Sequence, residues 1–391
     1  MAVRASVGAA PMNPTQLERV RGCLIGGAIG DALGAPTEFL SLSEIEARWG
    51  PGGVTGFEPA YSERGEVTDD TQMTLFTAEG LVDASDRGGE VVAWVWIAYR
   101  RWYRTQVAAP TEVATGHVSE GESGLLAHRE LWEQRGPGNT CLGALGGGVP
   151  GSRSQPLNDS KGCGGVMRVA PVGLVASDAT AAYELGCDTA ALTHGHRCGW
   201  ASAGAMAVMI HELMAGADLG DAIIAGRDSA AADPTGTEVA SWIDAAIAWA
   251  EEAPVDGRRI DAFGAGWVGE EALAIAVGCV WKTPDPSRCM LDAVNHSGDT
   301  DSTGALAGQL LGAAHGIGVF RPEWVRDVEL RPIIDDIAGR LADLHPMRWA
   351  GRARRAACAT ASAAWPPRPP TPSDRPAKAH FARARAAMMT R

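Results

Sequence analysis

Apolar residues recur every three or four positions along most of this chain, a spacing that predicts helices. From Leu17 the stripe runs through Val20, Leu24 and Ala28. One further step of three lands on Asp31, a carboxylate on an inward face. Such a group is costly to bury unless something positive meets it. A second helix is predicted over 71–84, after the capping cluster Thr68-Asp69-Asp70, with Leu75, Ala78, Leu81 and Val82 on one side. Residues 197–214 are rich in Ala and Met and nearly uncharged, the pattern of a buried central helix. Residues 303–317 predict another, in which Gly304, Gly308, Gly312 and Gly316 fall every four residues. That segment is too short and polar to span a bilayer, so the glycines are expected to let a second helix approach closely. Further helices are predicted over 238–251, 270–281 and 332–344. No alternating strands bounded by an Asn-Gly turn and no repeat of fixed period appear. The expected fold is all-α, with one compact multi-helix domain over residues 14–350 and a disordered start at 1–13.

One stretch breaks the pattern. Residues 136–168 hold Gly136, Gly138, Gly143, Gly146-Gly147-Gly148, Gly151 and Gly162-Cys163-Gly164-Gly165. A long glycine-rich loop inside a compact domain is usually functional, and glycine lets backbone amides turn toward a pyrophosphate or ribose. The end of the chain also changes character. Residues 351–391 carry nine Lys or Arg against one acid, Asp374, with the run Pro366-Pro367-Arg368-Pro369-Pro370. This basic tail is read as a mostly disordered appendage.

Composition supports closely packed helices: 46% of residues are hydrophobic, 49 of the 391 are glycine and only 6% are aromatic. The net charge is −13, and because the tail contributes +8, residues 1–350 sum to −21. That balance disfavours nucleic acid, whose partners usually show a basic face. The eight cysteines include no Cys-x-x-Cys pair, which argues for reduced thiols in a cytosolic protein and against a zinc cluster. With no basic segment leading an apolar run at the start and no continuous apolar span, the expected location is cytoplasmic, with no membrane partner.

The candidate chemistry lies in two acidic clusters about 230 residues apart, Thr68-Asp69-Asp70 and Asp299-Thr300-Asp301-Ser302, each followed by an apolar helix. Both hold more carboxylate than a helix cap requires, and both are flanked by hydroxyls. If their helices pack together, four carboxylates converge, which needs cations between them. Oxygen-only ligands select Mg, Mn or Ca. Asp31 and Glu38 add two more acids beside Gly26-Gly27-Ala28-Ile29-Gly30. This segment is neither a Walker loop, lacking Gly-Lys-Thr/Ser, nor a Rossmann fingerprint, lacking a preceding strand.

The chain resembles the ADP-ribosylglycohydrolase family, which includes the dinitrogenase reductase-activating glycohydrolases and the ADP-ribosyl-acceptor hydrolases. The segments that carry the resemblance are GCLIGGAIGDALGAPTE (22–38), VTDDTQMTL (67–75), NDSKGCGGVMRVAP (158–171), ALTHGH (191–196) and NHSGDTDSTGALAGQLLGAAHG (295–316). The resemblance implies an all-α domain with a binuclear Mg or Mn centre in a cleft. It also implies hydrolysis of the glycosidic bond between ADP-ribose and a modified acceptor, such as a protein arginine. On it, the metal ligands are Thr68, Asp69, Asp70, Asp299, Asp301 and Ser302, the last standing where the family often has Thr. Glu38 and Asp31 are the candidate catalytic acids, with a supporting role for Asp31 left open beside direct ligation. Ser160, Lys161, Gly162, Cys163 and His194 are the candidate substrate-binding residues, Cys163 standing where relatives often carry Asn. Arg168 is expected to have a structural hydrogen-bonding role. The tryptophans are expected to fill the core, with Trp94, Trp96 and Trp102 open to a place along the cleft. Two alternatives stay open: the same fold and metals acting on a small, non-protein ADP-ribose conjugate, and an ADP-ribose-binding protein without activity. Oligomeric state is not addressed by the residues.

Overall fold

Helix signals written into the sequence set most element boundaries in the computed structural model, which describes residues 15–108 and 124–344. The expectations for residues 1–13 and for the basic tail at 351–391 lie outside the described residues. In chain order the helices are α1 Gln16–Gly34, α2 Leu42–Trp49, α3 Asp69–Arg87, α4 Val91–Val107 and α5 Asn139–Gly146. There follow α6 Ala170–Val175, α7 Ala179–Ala191, α8 Arg197–Ala215, α9 Leu219–Ala232, α10 Thr237–Glu252 and α11 Gly257–Phe263. The last five are α12 Gly269–Lys282, α13 Pro286–Asp292, α14 Thr300–His315, α15 Pro322–Asp327 and α16 Arg331–Ala342. Among the described residues there is no β-strand, only two isolated bridges. The fold is all-α, and the described residues fall within one compact unit.

Every predicted helix is present. The glycine-rich segment differs from expectation: it is not one long loop, because α5 and a short 3₁₀ turn at Cys163–Gly165 interrupt it. Trp96 and Trp102 are buried in the core, and the Trp102 indole donates to Gln72 Oε1 at 3.0 Å on α3. The Trp94 indole donates to the Gly88 carbonyl at 2.8 Å, just past the end of α3. α4 therefore packs its aromatic residues on α3.

α1 starts at a capping box in which the Thr15 hydroxyl accepts from the Glu18 amide while the Glu18 carboxylate accepts from the Thr15 amide. From Gly22 to Gly34 it is buried on every side, with α14 packed most closely and α16 and α3 completing the cover. The two helices run antiparallel and nearly touch backbone to backbone at Gly22 with Gly312, Gly26 with Gly308, and Gly30 with Gly304. A Cβ added at Gly22 would lie 2.5 Å from the Gly312 carbonyl oxygen, and one at Gly304 would lie 2.5 Å from the Gly30 oxygen. Beside this seam lies α8, buried from Cys198 to Ile210 and ended by Gly216 at φ 101°.

The seam predicts an unequal response to alanine. Gly308→Ala forces a methyl group into the α1 backbone and is expected to destabilise the protein by about 3 kcal/mol. Gly339→Ala, on α16 with open space around it, should leave stability unchanged or raise it by up to about 1 kcal/mol. Equal unfolding midpoints for the two variants in chemical denaturation would show that the seam does not constrain the fold.

Candidate active site

The seam carries the acidic motifs to one place. At the end of α1 the Thr300 hydroxyl donates to the Gly34 carbonyl at 2.9 Å and lies 2.9 Å from the Thr37 hydroxyl. Thr37 in turn donates to the carbonyls of Gly34 at 2.9 Å and Val294 at 3.0 Å. This knot fixes the turn that presents Glu38 beside the start of α14. Glu38, Asp299 and Asp301 each place one ligand atom within 4.8 Å of the other two, a spacing that fits a metal ion.

α3 enters from a second side, and Asp31 holds it there. The buried Asp31 carboxylate accepts from the Thr68 amide at 2.9 Å, the Thr71 amide at 3.1 Å and the Thr71 hydroxyl at 2.5 Å. Its partners all belong to the first turn of α3, which is a positioning role. Thr68 caps that helix by accepting from the Asp70 amide at 3.2 Å. Asp69 donates its amide to the Arg135 carbonyl at 2.8 Å, and its carboxylate accepts from Gly138 N–H at 3.1 Å. One oxygen of Asp70, Oδ2, is buried without a hydrogen-bond partner. At the start of α14 the Ser302 amide donates to Asp301 Oδ1 at 2.9 Å and lies 3.4 Å from Asp299 Oδ1.

This crowding of acids shapes their ionisation. Burial, reinforced by the charge of Asp301, pushes the Asp31 carboxyl up to about 7. Burial is also the main force raising Glu38, with Asp301, Asp299, Asp69 and Asp70 adding repulsion. Asp70 and Asp299 are raised by burial first and by Asp301 next. Asp69 is raised by burial as well, offset in part by the Gly138 amide and by Arg168. A cluster of buried, mutually repelling oxygens that includes one unpartnered oxygen fits hard divalent cations of the Mg or Mn class. Thr68 and Ser302 bring the only hydroxyls of the proposed ligand set to the same two helix starts.

The glycine-rich segment lines the third side. Cys163 donates its thiol to Asp299 Oδ2 at 2.8 Å and its amide to the Trp267 carbonyl at 3.3 Å. Gly269 donates to the Lys161 carbonyl at 2.8 Å, stitching this loop to the start of α12. The Lys161 ammonium is paired with the buried Glu270 carboxylate, so its side chain is held away from the acidic cluster. Ser160 lies at the rim of an open groove of about 640 Å³, bordered also by Asn139, Thr140, Ala144, Leu157 and Asn158. His194 sits under Gly162 and Gly164 with its ring buried. The structure thus brings the thirteen candidate residues to one region. Asp31 lies behind the cluster and Lys161 is turned toward Glu270.

Residues 12–351 match the model of the family described as ADP-ribosylglycohydrolase. The chain belongs to the ADP-ribosylglycohydrolase family. Like the other ADP-ribosylglycohydrolases it is a hydrolase. The ADP-ribosylarginine hydrolase Tri1 of Pseudomonas putida (strain GB-1) is 26% identical to it, over 86% of this chain and 82% of the relative. The ADP-ribosyl-dinitrogen reductase glycohydrolase of Rhodospirillum rubrum is 24% identical, over 81% of this chain and 92% of the relative. A solved structure named ADP-ribosylglycohydrolase-related protein complex shares the fold, with a TM-score of 0.55 and 24% identity over 84% of this chain and 98% of that one. No described helix of this glycohydrolase is long and apolar enough to cross a membrane.

Three neighbours of the cluster were not legible as site residues. Phe39, directly after Glu38, holds a left-handed backbone at φ 67° and exposes its ring, which stacks on Trp267 with centroids 5.1 Å apart. Tyr61 lies close enough to Glu38 that, after burial, Glu38 is the largest influence raising its phenol. The one signal for Phe39 was its place next to the candidate acid.

The raised carboxyls set a pH dependence for the metal-free protein. Asp31, ionising near 4 when unfolded and near 7 when folded, keeps a proton in the folded state that the unfolded state has released. Folding stability therefore falls as pH rises through that window, from about 4 to about 7. With chelator, the melting temperature is expected to drop between about pH 5 and pH 7.5, and Mn should restore it most at the higher pH. Melting curves that do not respond to pH or to Mn would show that the acids are not coupled as the geometry requires.

Proposed function

We propose that this chain hydrolyses the glycosidic bond between ADP-ribose and a modified acceptor, with a protein arginine as the acceptor of first choice. Two divalent cations, Mg or Mn, are held by Thr68, Asp69, Asp70, Asp299, Asp301 and Ser302. The observation that carries this reading is the meeting of Glu38, Asp299 and Asp301 around a buried site that also holds the unpartnered oxygen of Asp70. The arginine acceptor is suggested by the names of two relatives, one an ADP-ribosylarginine hydrolase and one a glycohydrolase of ADP-ribosylated dinitrogen reductase.

Cleavage at the anomeric carbon builds oxocarbenium character and needs a water delivered to the face opposite the leaving group. Cations bound there would supply Lewis acidity and make water easier to deprotonate. Glu38 takes the proton from the attacking water. Its burial among like charges raises its carboxyl above the usual range, which makes it a stronger proton acceptor than an exposed carboxylate. Asp31 fixes the first turn of α3, so Asp69 and Asp70 hold their positions while the substrate binds. The groove beside Ser160 is of a size that accommodates a nucleotide-sugar. The Ser160–Cys163 turn and the His194 ring border the place of the ribose and phosphates.

The test uses an arginine-linked and a serine-linked ADP-ribosyl peptide, each with Mg, with Mn and with chelator, following released ADP-ribose by mass spectrometry. Release is expected from the arginine-linked peptide only with metal. An Asp299→Asn, Asp301→Asn double variant should lose it by at least about a hundredfold. Glu38→Gln should lower kcat by roughly a hundredfold or more while still binding ADP-ribose. Metal-independent release, or full activity in Glu38→Gln, would overturn the reading.

A further inference from the structure

Behind the substrate loop lies a cation that the fold has buried without a carboxylate partner. Arg168 is almost fully enclosed, and no ion pair is made to it among the described residues. Its guanidinium lies over the Tyr99 ring at 4.2 Å, with Nη1 directed at the sulfurs of Cys141 (3.3 Å) and Met73 (3.4 Å). Burying a charge is costly unless something offsets it, and here the Tyr99 face and, at longer range, the Asp69 carboxyl do so in part. Its shortest hydrogen bond is the one that leads somewhere: Nη2 donates to Thr193 Oγ1 at 2.7 Å.

Thr193 passes the polarity on. Its hydroxyl lies 2.8 Å from His194 Nδ1. A guanidinium is only ever a donor, so the Thr193 oxygen accepts from Arg168 and keeps its own proton to give. The Ala190 carbonyl at 3.5 Å and the Cys141 sulfur also lie within reach of that proton, and the contact to His194 is far shorter than the one to Ala190. Where Thr193 gives that proton to His194, Nδ1 is the bare nitrogen and Nε2 carries the hydrogen. Burial, and then the nearby Arg168 charge, hold the His194 ring neutral by depressing its ionisation to about 3. Nε2 makes no hydrogen bond among the described residues. It faces the backbone of Gly162 and Gly164, where added Cβ atoms would lie 3.4 and 3.2 Å from it. Two glycines in the substrate loop thus leave the donor edge of the ring uncovered.

We propose that Arg168 is a positioning residue, which acts through Thr193 to hold His194 as the neutral Nε2–H tautomer, and that this edge donates a hydrogen bond to an oxygen of the bound ligand. The ligand oxygen, a ribose hydroxyl or a diphosphate oxygen, rests on the ADP-ribose reading above; the tautomer does not. The device gives a fixed donor with no charge of its own, in a site whose positive field comes from elsewhere.

The tautomer can be read directly by long-range ¹H–¹⁵N correlation on protein labelled at histidine, with the His194 signals identified by their loss in His194→Gln. The wild type is expected to show an unprotonated Nδ1 and a protonated Nε2. In the near-isosteric Thr193→Val that preference should be lost, and ADP-ribose should bind about fivefold more weakly. Adding ADP-ribose to the wild type should shift the Nε2 signal. A protonated Nδ1 in the wild type, or the wild-type pattern and affinity in Thr193→Val, would overturn the relay. An Nε2 signal indifferent to bound ADP-ribose would overturn the donor role. Failure of ADP-ribose to bind at all would count against the functional reading, while the relay would still be decided by the spectra.

Discussion

The near contact of two helix backbones, α1 and α14, is the constraint on which the rest of this molecule depends. Glycines on both sides remove every side chain between them at Gly22, Gly26 and Gly30 and at Gly304, Gly308 and Gly312. Carbonyls of one helix therefore lie against the Cα atoms of the other. At this separation the relative rotation and register of the helices are set by backbone shape rather than by side chains that can change rotamer. The register ends at Gly34 and Thr300, one residue from Asp299 and Asp301 and four from Glu38. Placement of the acids is inherited from that seam.

Electrostatics then works against the fold at one point in order to make it reactive. Glu38, Asp69, Asp70 and Asp299 are held beside Asp301 in a region where burial raises their carboxyls, and Asp31, from behind, accepts from the amides of α3. The protein holds these oxygens in place by hydrogen bonds from backbone N–H groups at Gly138 and Ser302. Those donors fix direction without neutralising charge, which leaves the carboxylates free for cations. Arg168 acts at longer range: its charge is felt by Asp69 on one side and by His194 on the other.

Much of this was legible in residues alone, for identifiable reasons. Period anticipated α1, α3, α8, α10, α12, α14 and α16 but not α4, α7 or α9, although these run for 17, 13 and 14 residues. Helices such as α2, α5 and α13 span one or two turns, too few residues for a period to show. The four-residue glycine spacing on α14 signalled a close approach, but nothing local named α1 as its partner, although α1 carries the matching glycines. Convergence of the two acidic motifs followed from chemistry, since both carried more carboxylate than capping needs. By contrast, Trp267 and Tyr61 join the site only through contacts across the fold. Asp31 was visible as an anomaly on an apolar stripe, yet its partners on α3 required the structure.

The seam also has a consequence for how the chain is made. Gly22 meets Gly312, so the first described helix to leave a ribosome finds its partner 290 residues later. At common elongation rates that is a wait of roughly 15–60 s. During it, α1 offers an apolar surface on all sides with nothing to cover its glycine ridge. Helical proteins usually fold from near neighbours in sequence, whereas this central pair cannot close until α14 has been made. Vectorial synthesis thus delays assembly of the acidic cluster to the same point.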